Sequence, residues 1–176
     1  MLSTYLQNGI FYFYGSIYKV LIVFCVFTVI KFLVKGKFEF KPLRMLCEFA
    51  WILTVFLILQ ITGIIGDYFG TTSFSDGIAN FSFNFFKEEL SIATLLNIIL
   101  FIPFGFFSAV IFKKLMNKWI YGVLIGLIFS GIIEFLQTFN GRYVSSQDIL
   151  MNTIGTFIGY EIWVWLSKLK QNKRNI

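Results

Sequence analysis

Long apolar runs alternate with short polar interruptions along the chain, and each run has the length of a bilayer crossing. The runs are Gly9–Val34, Met45–Gly66, Glu89–Phe112, Trp119–Phe139 and Asp148–Leu166, all close to the roughly 20 residues that span a hydrocarbon core. The pattern predicts an all-α fold, an integral membrane helical bundle of about five transmembrane helices, as a single domain over residues 1–176. Residues 9–66 are expected to form an N-terminal helical hairpin closed by the basic connection with Pro42. After it come an extracytoplasmic segment over 67–89, a three-helix core over 90–167 and a basic cytoplasmic tail over 168–176. The first run has no basic leader or small-residue cleavage site, so a retained span is expected rather than a signal peptide.

A finer periodicity marks the last three runs. In the fourth, Gly122, Gly126, Ser130 and Glu134 recur every four residues, with Gln137 three further on. The fifth carries Asp148, Asn152, Gly155 and Gly159 at spacings of four, three and four, and the third carries Asn97, Phe101, Gly105 and Ser108. Residues three and four apart share one helix face, so each set is a stripe, polar at one end and small further in. Small residues let helix backbones approach closely in lipid, where packing and interhelical hydrogen bonds drive association. The three stripes are therefore expected to face one another. The segment "NFSFNFF" (Asn80–Phe86) has period two instead, which suggests an extended stretch with one apolar face, lying on the bilayer or across the helix ends; a gap-filling loop is the equal alternative.

Polar residues gather in "IIEFLQTFNGRYVSSQDILMNTIG", Ile132–Gly155. At 1.5 Å per residue, Asn97, Glu134 and Asn152 fall on the order of 6–10 Å below the rim of their helices. Together with Gln137, Arg142 and Asp148 they make a candidate ligand-binding or functional cluster, with "NGRYVSSQ" as its lid. Ionisable residues inside a membrane are functional candidates by default. The competing account is a structural clamp in which Glu134 pairs with Arg142 and Asn97 with Asn152. In the functional version Arg142 meets an anionic headgroup through two parallel hydrogen bonds. Lys19 either reaches the same layer or snorkels to the headgroups. Pro103 removes a backbone hydrogen bond at the Ile99 carbonyl, so a kink is expected there. Pro103, Gly105, Gly122, Gly126, Ser130, Gly155 and Gly159 are assigned to helix packing or shape.

Composition narrows the class. Hydrophobic residues make up 57% and charged residues 14% of the 176, which a soluble domain does not tolerate. A net charge of +6 would suit nucleic acid, but the cations flank the spans. Lys31, Lys35, Lys37, Lys41 and Arg44, then Lys113, Lys114 and Lys118, then Lys168, Lys170, Lys173 and Arg174 account for twelve of the fifteen. With the N-terminus outside and the C-terminus cytoplasmic, all twelve fall on the cytoplasmic side, as the positive-inside rule requires. Cys25 and Cys47 are placed within spans, so no disulfide is expected. Histidine is absent from the sequence, which takes His-based triads and most zinc sites out of consideration. No metal and no cofactor is expected.

"NIILFIPFG" (Asn97–Gly105), "IEFLQ" (Ile133–Gln137) and "QDILMNTIGTFIGY" (Gln147–Tyr160) together resemble the VanZ family, which is associated with teicoplanin resistance in Gram-positive bacteria. The resemblance covers about Asn97–Trp165, and the first half matches only in hydropathy. Carried over by position, it points to Asn97, Pro103, Gly105, Glu134, Gln137, Asp148, Asn152 and Gly155. Ser145 stands where members often have an aspartate, and "NFSFNFF" replaces a proline-containing segment. The resemblance implies a bacterial plasma-membrane protein linked to tolerance of a lipid-tailed glycopeptide, without remodelling of the wall precursors.

Three functions compete. The reading adopted is a non-enzymatic protein that binds the lipoglycopeptide or a lipid-linked cell-wall precursor at the outer polar site, with membrane lipids as its other partners and no nucleic acid. The second is an intramembrane enzyme acting on a polyprenyl or wall glycolipid, with Glu134 and Asp148 dividing acid and base roles or jointly holding Mg²⁺. The third is a structural or partner-binding subunit.

Overall fold

The computed structural model describes residues 2–37, 40–65, 70, 81–82, 92–112, 118–140 and 144–172. Among these residues five α-helices are found: α1 (Leu2–Lys35), α2 (Pro42–Ile61), α3 (Ile92–Ile111), α4 (Ile120–Gln137) and α5 (Ser146–Asn172). All five contain stretches long and apolar enough to cross a membrane. A 3₁₀ turn, Thr138–Asn140, extends α4. Phe81–Ser82 (β1) and Val144–Ser145 (β2) form a two-residue parallel bridge, Phe81 opposite Val144. Part of the expected extended stretch is thus extended, and it pairs with the segment leading into α5; its remaining residues lie outside those described.

The helix boundaries follow local chemistry. Pro42 occupies the first position of α2, where its missing N–H would have had no partner, so this helix starts three residues before the apolar run. It ends at Thr62, whose N–H bonds the Ile58 carbonyl at 2.9 Å. Gly63 then takes φ +81°, the left-handed geometry that stops a helix without a Cβ clash. α3 runs through Pro103 as one continuous helix, with the proline ring exposed.

α5 is the central helix, packed against both α3 and α4. The stripes of α3 and α4 therefore meet α5 rather than converging on one another. A methyl group added at Gly105 would overlap the Thr156 carbonyl oxygen, and one at Gly155 or Gly159 would overlap the Ile98 or Ile102 carbonyl oxygen. On the other flank, a Cβ at Gly122 would lie 2.8 Å from the Tyr160 ring, and one at Gly126 2.9 Å from the Thr153 Cα. The α3 stripe is split: Gly105 faces α5, while Ser108 accepts a 2.9 Å hydrogen bond from the Trp51 indole of α2.

The main apolar cluster joins α2, α3 and α4 around Ile58, Phe101, Phe104 and Ile133. There the Phe104 and Phe129 rings stack with centroids 4.3 Å apart. α1 packs on α2 and is otherwise peripheral. Most of its large apolar side chains, Phe11, Ile22, Val29 and Leu33 among them, are exposed, as suits a helix surrounded by lipid. Two polar contacts hold it antiparallel to α2. The Ser16 hydroxyl donates to Gln60 Oε1 at one end, and the Lys31 ammonium meets Glu48 at the other.

Candidate functional site

The polar end of the bundle is built from the last turn of α2, the first turns of α3 and α5, and the last turns of α4. The Asn97 amide donates to Asp148 Oδ1 at 2.9 Å, tying α3 to α5. Asp148 lies in the first turn of α5, where the helix dipole favours a carboxylate. One turn deeper, the Asn152 amide donates to Ser130 Oγ at 2.9 Å, tying α5 to α4. Glu134 is 3% exposed and accepts the Ser145 backbone N–H at 3.2 Å.

Gln137 has a different task. Its amide donates to the Thr62 carbonyl at 3.0 Å, and the Asn140 amide donates to the Gly63 carbonyl at 2.8 Å. Terminal carbonyls of a helix lack partners within it, so these two amides cap α2 and fasten it to α4.

The clamp anticipated from the sequence is corrected in detail. Asn97 pairs with Asp148 and Asn152 with Ser130, because Asp148 lies level with Asn97 while Asn152 lies a turn further in. Arg142 lies outside the described residues, and with it the expected Glu134 pair and the middle of the lid, residues 141–143. Lys19 is half-buried on α1, its ammonium 5.7 Å from the centroid of the neighbouring Tyr18 ring.

Sequence reasoning placed three residues here in the lid without assigning them to the cluster. Among the described residues, four buried side-chain atoms make no hydrogen bond: Asn140 Oδ1, Ser146 Oγ, Gln147 Oε1 and Asn152 Oδ1. All four belong to this end of the bundle; Asn152 had been assigned to the cluster, and Asn140, Ser146 and Gln147 only to its lid. The signal available was position, since Ser146 and Gln147 open α5 directly before Asp148. A serine at a helix start ordinarily accepts from an N–H two or three residues on, and Ser146 does not. Leaving a buried polar group unpaired costs about 1–3 kcal/mol, so four in one place call for an explanation. Three of the four are amide carbonyl oxygens, which only accept hydrogen bonds.

At the opposite end lies a second polar constellation that was also missed. Glu48, 4% exposed, receives Lys31 Nζ on both carboxylate oxygens at 2.6 and 2.8 Å and Arg44 Nε at 3.1 Å. A lone acid inside the run "MLCEFAWILTV" was the visible signal. Among the described residues no group of three or more His, Cys, Asp or Glu side chains is placed to hold a metal ion.

Neither curated proteins nor solved structures provide a match to this chain. The VanZ/LLP1 family model matches residues 17–167, taking in most of α1 and all of α2 as well as the three helices that hold the motifs. The match is thus wider than the resemblance read from the motifs alone. With the match reaching all five of the helices long and apolar enough to cross a membrane, this membrane-type protein belongs to the VanZ/LLP1 family.

Proposed function

We propose that the protein is a binding protein of the cell envelope that protects against teicoplanin by engaging the lipoglycopeptide, or a lipid-linked wall precursor, at the polar end of the bundle, on the extracytoplasmic side. The observation that carries this reading is the group of unpaired buried atoms at Asn140, Ser146, Gln147 and Asn152. Acceptor oxygens call for a ligand that donates, and sugar hydroxyls and peptide N–H groups do so. Both candidate ligands carry such donors beside an apolar tail, which suits a site at the end of apolar helices. Glu134 and the Asn97–Asp148 pair hold the helix ends in register around these atoms.

The test compares teicoplanin susceptibility, with vancomycin as control, in a sensitive Gram-positive host. The host expresses wild type, Glu134→Gln or Gln147→Met at matched membrane levels. Wild type should raise teicoplanin tolerance severalfold and leave vancomycin unchanged, and both variants should lose that protection. Gln147→Met is the sharper probe. Replacing an unpaired buried polar group by an apolar side chain of similar shape is neutral or stabilising, so its unfolding temperature should hold or rise while protection falls. A Gln147→Met protein that protects as well as wild type, or a wild type that gives no protection, would overturn the proposal.

A further inference from the structure

The other end of the α1–α2 hairpin carries a pocket that the proposed function does not use. Its walls include Lys31 and Lys35, one turn apart on α1, then Lys37, and then Lys41 and Arg44 flanking the start of α2, with Glu48 beneath them. Five cations and one acid line it among the described residues, and the stretch from Lys31 to Glu48 holds five cations against two acids in the sequence. Glu48 accepts from Lys31 and Arg44, which fixes two cations at the base of the pocket, and five cations against two acids leave the stretch net positive whatever pairs form within it. Orientation by charge needs only a count of cations in the connection; it does not need them gathered around one opening between two helices.

The surroundings specify what fits. Leu33, Val34, Phe40, Leu43 and Leu46 are large, apolar and exposed within a few residues of the cations. A cationic opening above an apolar skirt, at the end of two spans, matches a molecule with an anionic phosphate and acyl chains. From this juxtaposition we infer that the pocket between α1 and α2 binds the phosphate headgroup of an anionic phospholipid from the leaflet on that side of the membrane. Basic pockets between transmembrane helices recognise such headgroups by charge, and polybasic juxtamembrane segments gain affinity with each cation.

The experiment uses the full chain purified in detergent, titrated with phosphatidylglycerol or phosphatidylcholine. Lipid retention is read by native mass spectrometry and stability by the unfolding midpoint. Wild type should retain phosphatidylglycerol selectively and unfold at a higher temperature with it. Lys35→Gln with Lys41→Gln, which leaves the Lys31–Glu48–Arg44 contacts untouched, should weaken retention about tenfold or more. Arginine at both positions should restore it, and this second pair keeps the test decisive if the glutamine pair folds poorly. Lys168→Gln with Lys170→Gln removes the same charge from the end of α5 and should change little. Equal weakening in both glutamine pairs would mean diffuse attraction and overturn the inference, as would failure of the arginine pair to bind. Free glycerol phosphate reproducing the stabilisation at equal concentration would also overturn it, in favour of a soluble anion.

Discussion

At Gly105 and Gly159 the distance between α3 and α5 is set by the absence of a side chain. Any Cβ at these positions meets a carbonyl oxygen of the facing backbone, and a backbone cannot rotate aside as a side chain can. Overpacking of this kind costs about 1–3 kcal/mol and sometimes more. Gly105→Ala is therefore expected to lower the unfolding midpoint in detergent clearly, and Gly131→Ala is its control. Gly131 has open space around it, and removing a helical glycine gains up to about 1 kcal/mol in propensity, so that variant should be neutral or slightly stabilised. A drop in Gly131→Ala equal to that in Gly105→Ala would contradict this account. The spacing of the small residues was legible in the sequence; the neighbour that each one faces was not. Periodicity describes one helix, and Ser108 turned out to meet Trp51 of α2 while Gly105 meets α5.

Among the elements, α1 depends most on a few polar contacts. Apolar surface between helices gives little net attraction in lipid, because the tails are as apolar as the side chains. The Lys31–Glu48 pair and the Ser16–Gln60 hydrogen bond therefore carry much of the docking of α1 on α2. Removing one partner of a buried ion pair costs about 3–5 kcal/mol, and Lys31, 28% exposed in its side chain, places the change toward the lower end. Glu48→Ala should thus loosen α1, raising protease cleavage in the α1–α2 connection and lowering the unfolding midpoint, whereas Glu48→Gln should do so less. Cleavage unchanged in Glu48→Ala would mean that α1 is held by other contacts. The hairpin itself could be read from two apolar runs and a basic turn. Its buried acid was visible too, but was passed over because Glu48 belongs to no stripe of polar and small residues.

For the molecule as a whole, odd and even helices among the described residues run in opposite directions, so the helix ends that border the basic segments of the sequence share one face and the polar site lies on the other. The charge distribution predicts that the basic face is cytoplasmic. In a background with Cys25→Ser and Cys47→Ser, a cysteine replacing Ser75 should react with a membrane-impermeant thiol reagent on intact cells. A cysteine replacing Lys37 should react only after permeabilisation. The reverse pattern would invert the topology and move the polar end to the cytoplasm, where it could not meet an antibiotic that acts outside.

Apolar run length decided that there are five spanning helices, since the bilayer requires a certain thickness of hydrocarbon-compatible chain and little else. The motifs in the last three runs pointed to the VanZ family, and the small-residue stripes showed which faces are packed. Only the tertiary structure decided that α5 lies between α3 and α4, that Asn97 pairs with Asp148 and Asn152 with Ser130, and that Gln137 caps α2. It also decided that the side-chain oxygens of Asn140, Ser146 and Gln147 are buried and unpaired while Glu48 accepts from both Lys31 and Arg44. The division has a physical cause. Hydropathy and period are properties of one segment against its solvent, whereas a hydrogen-bond partner depends on the height and rotation at which two separate helices meet.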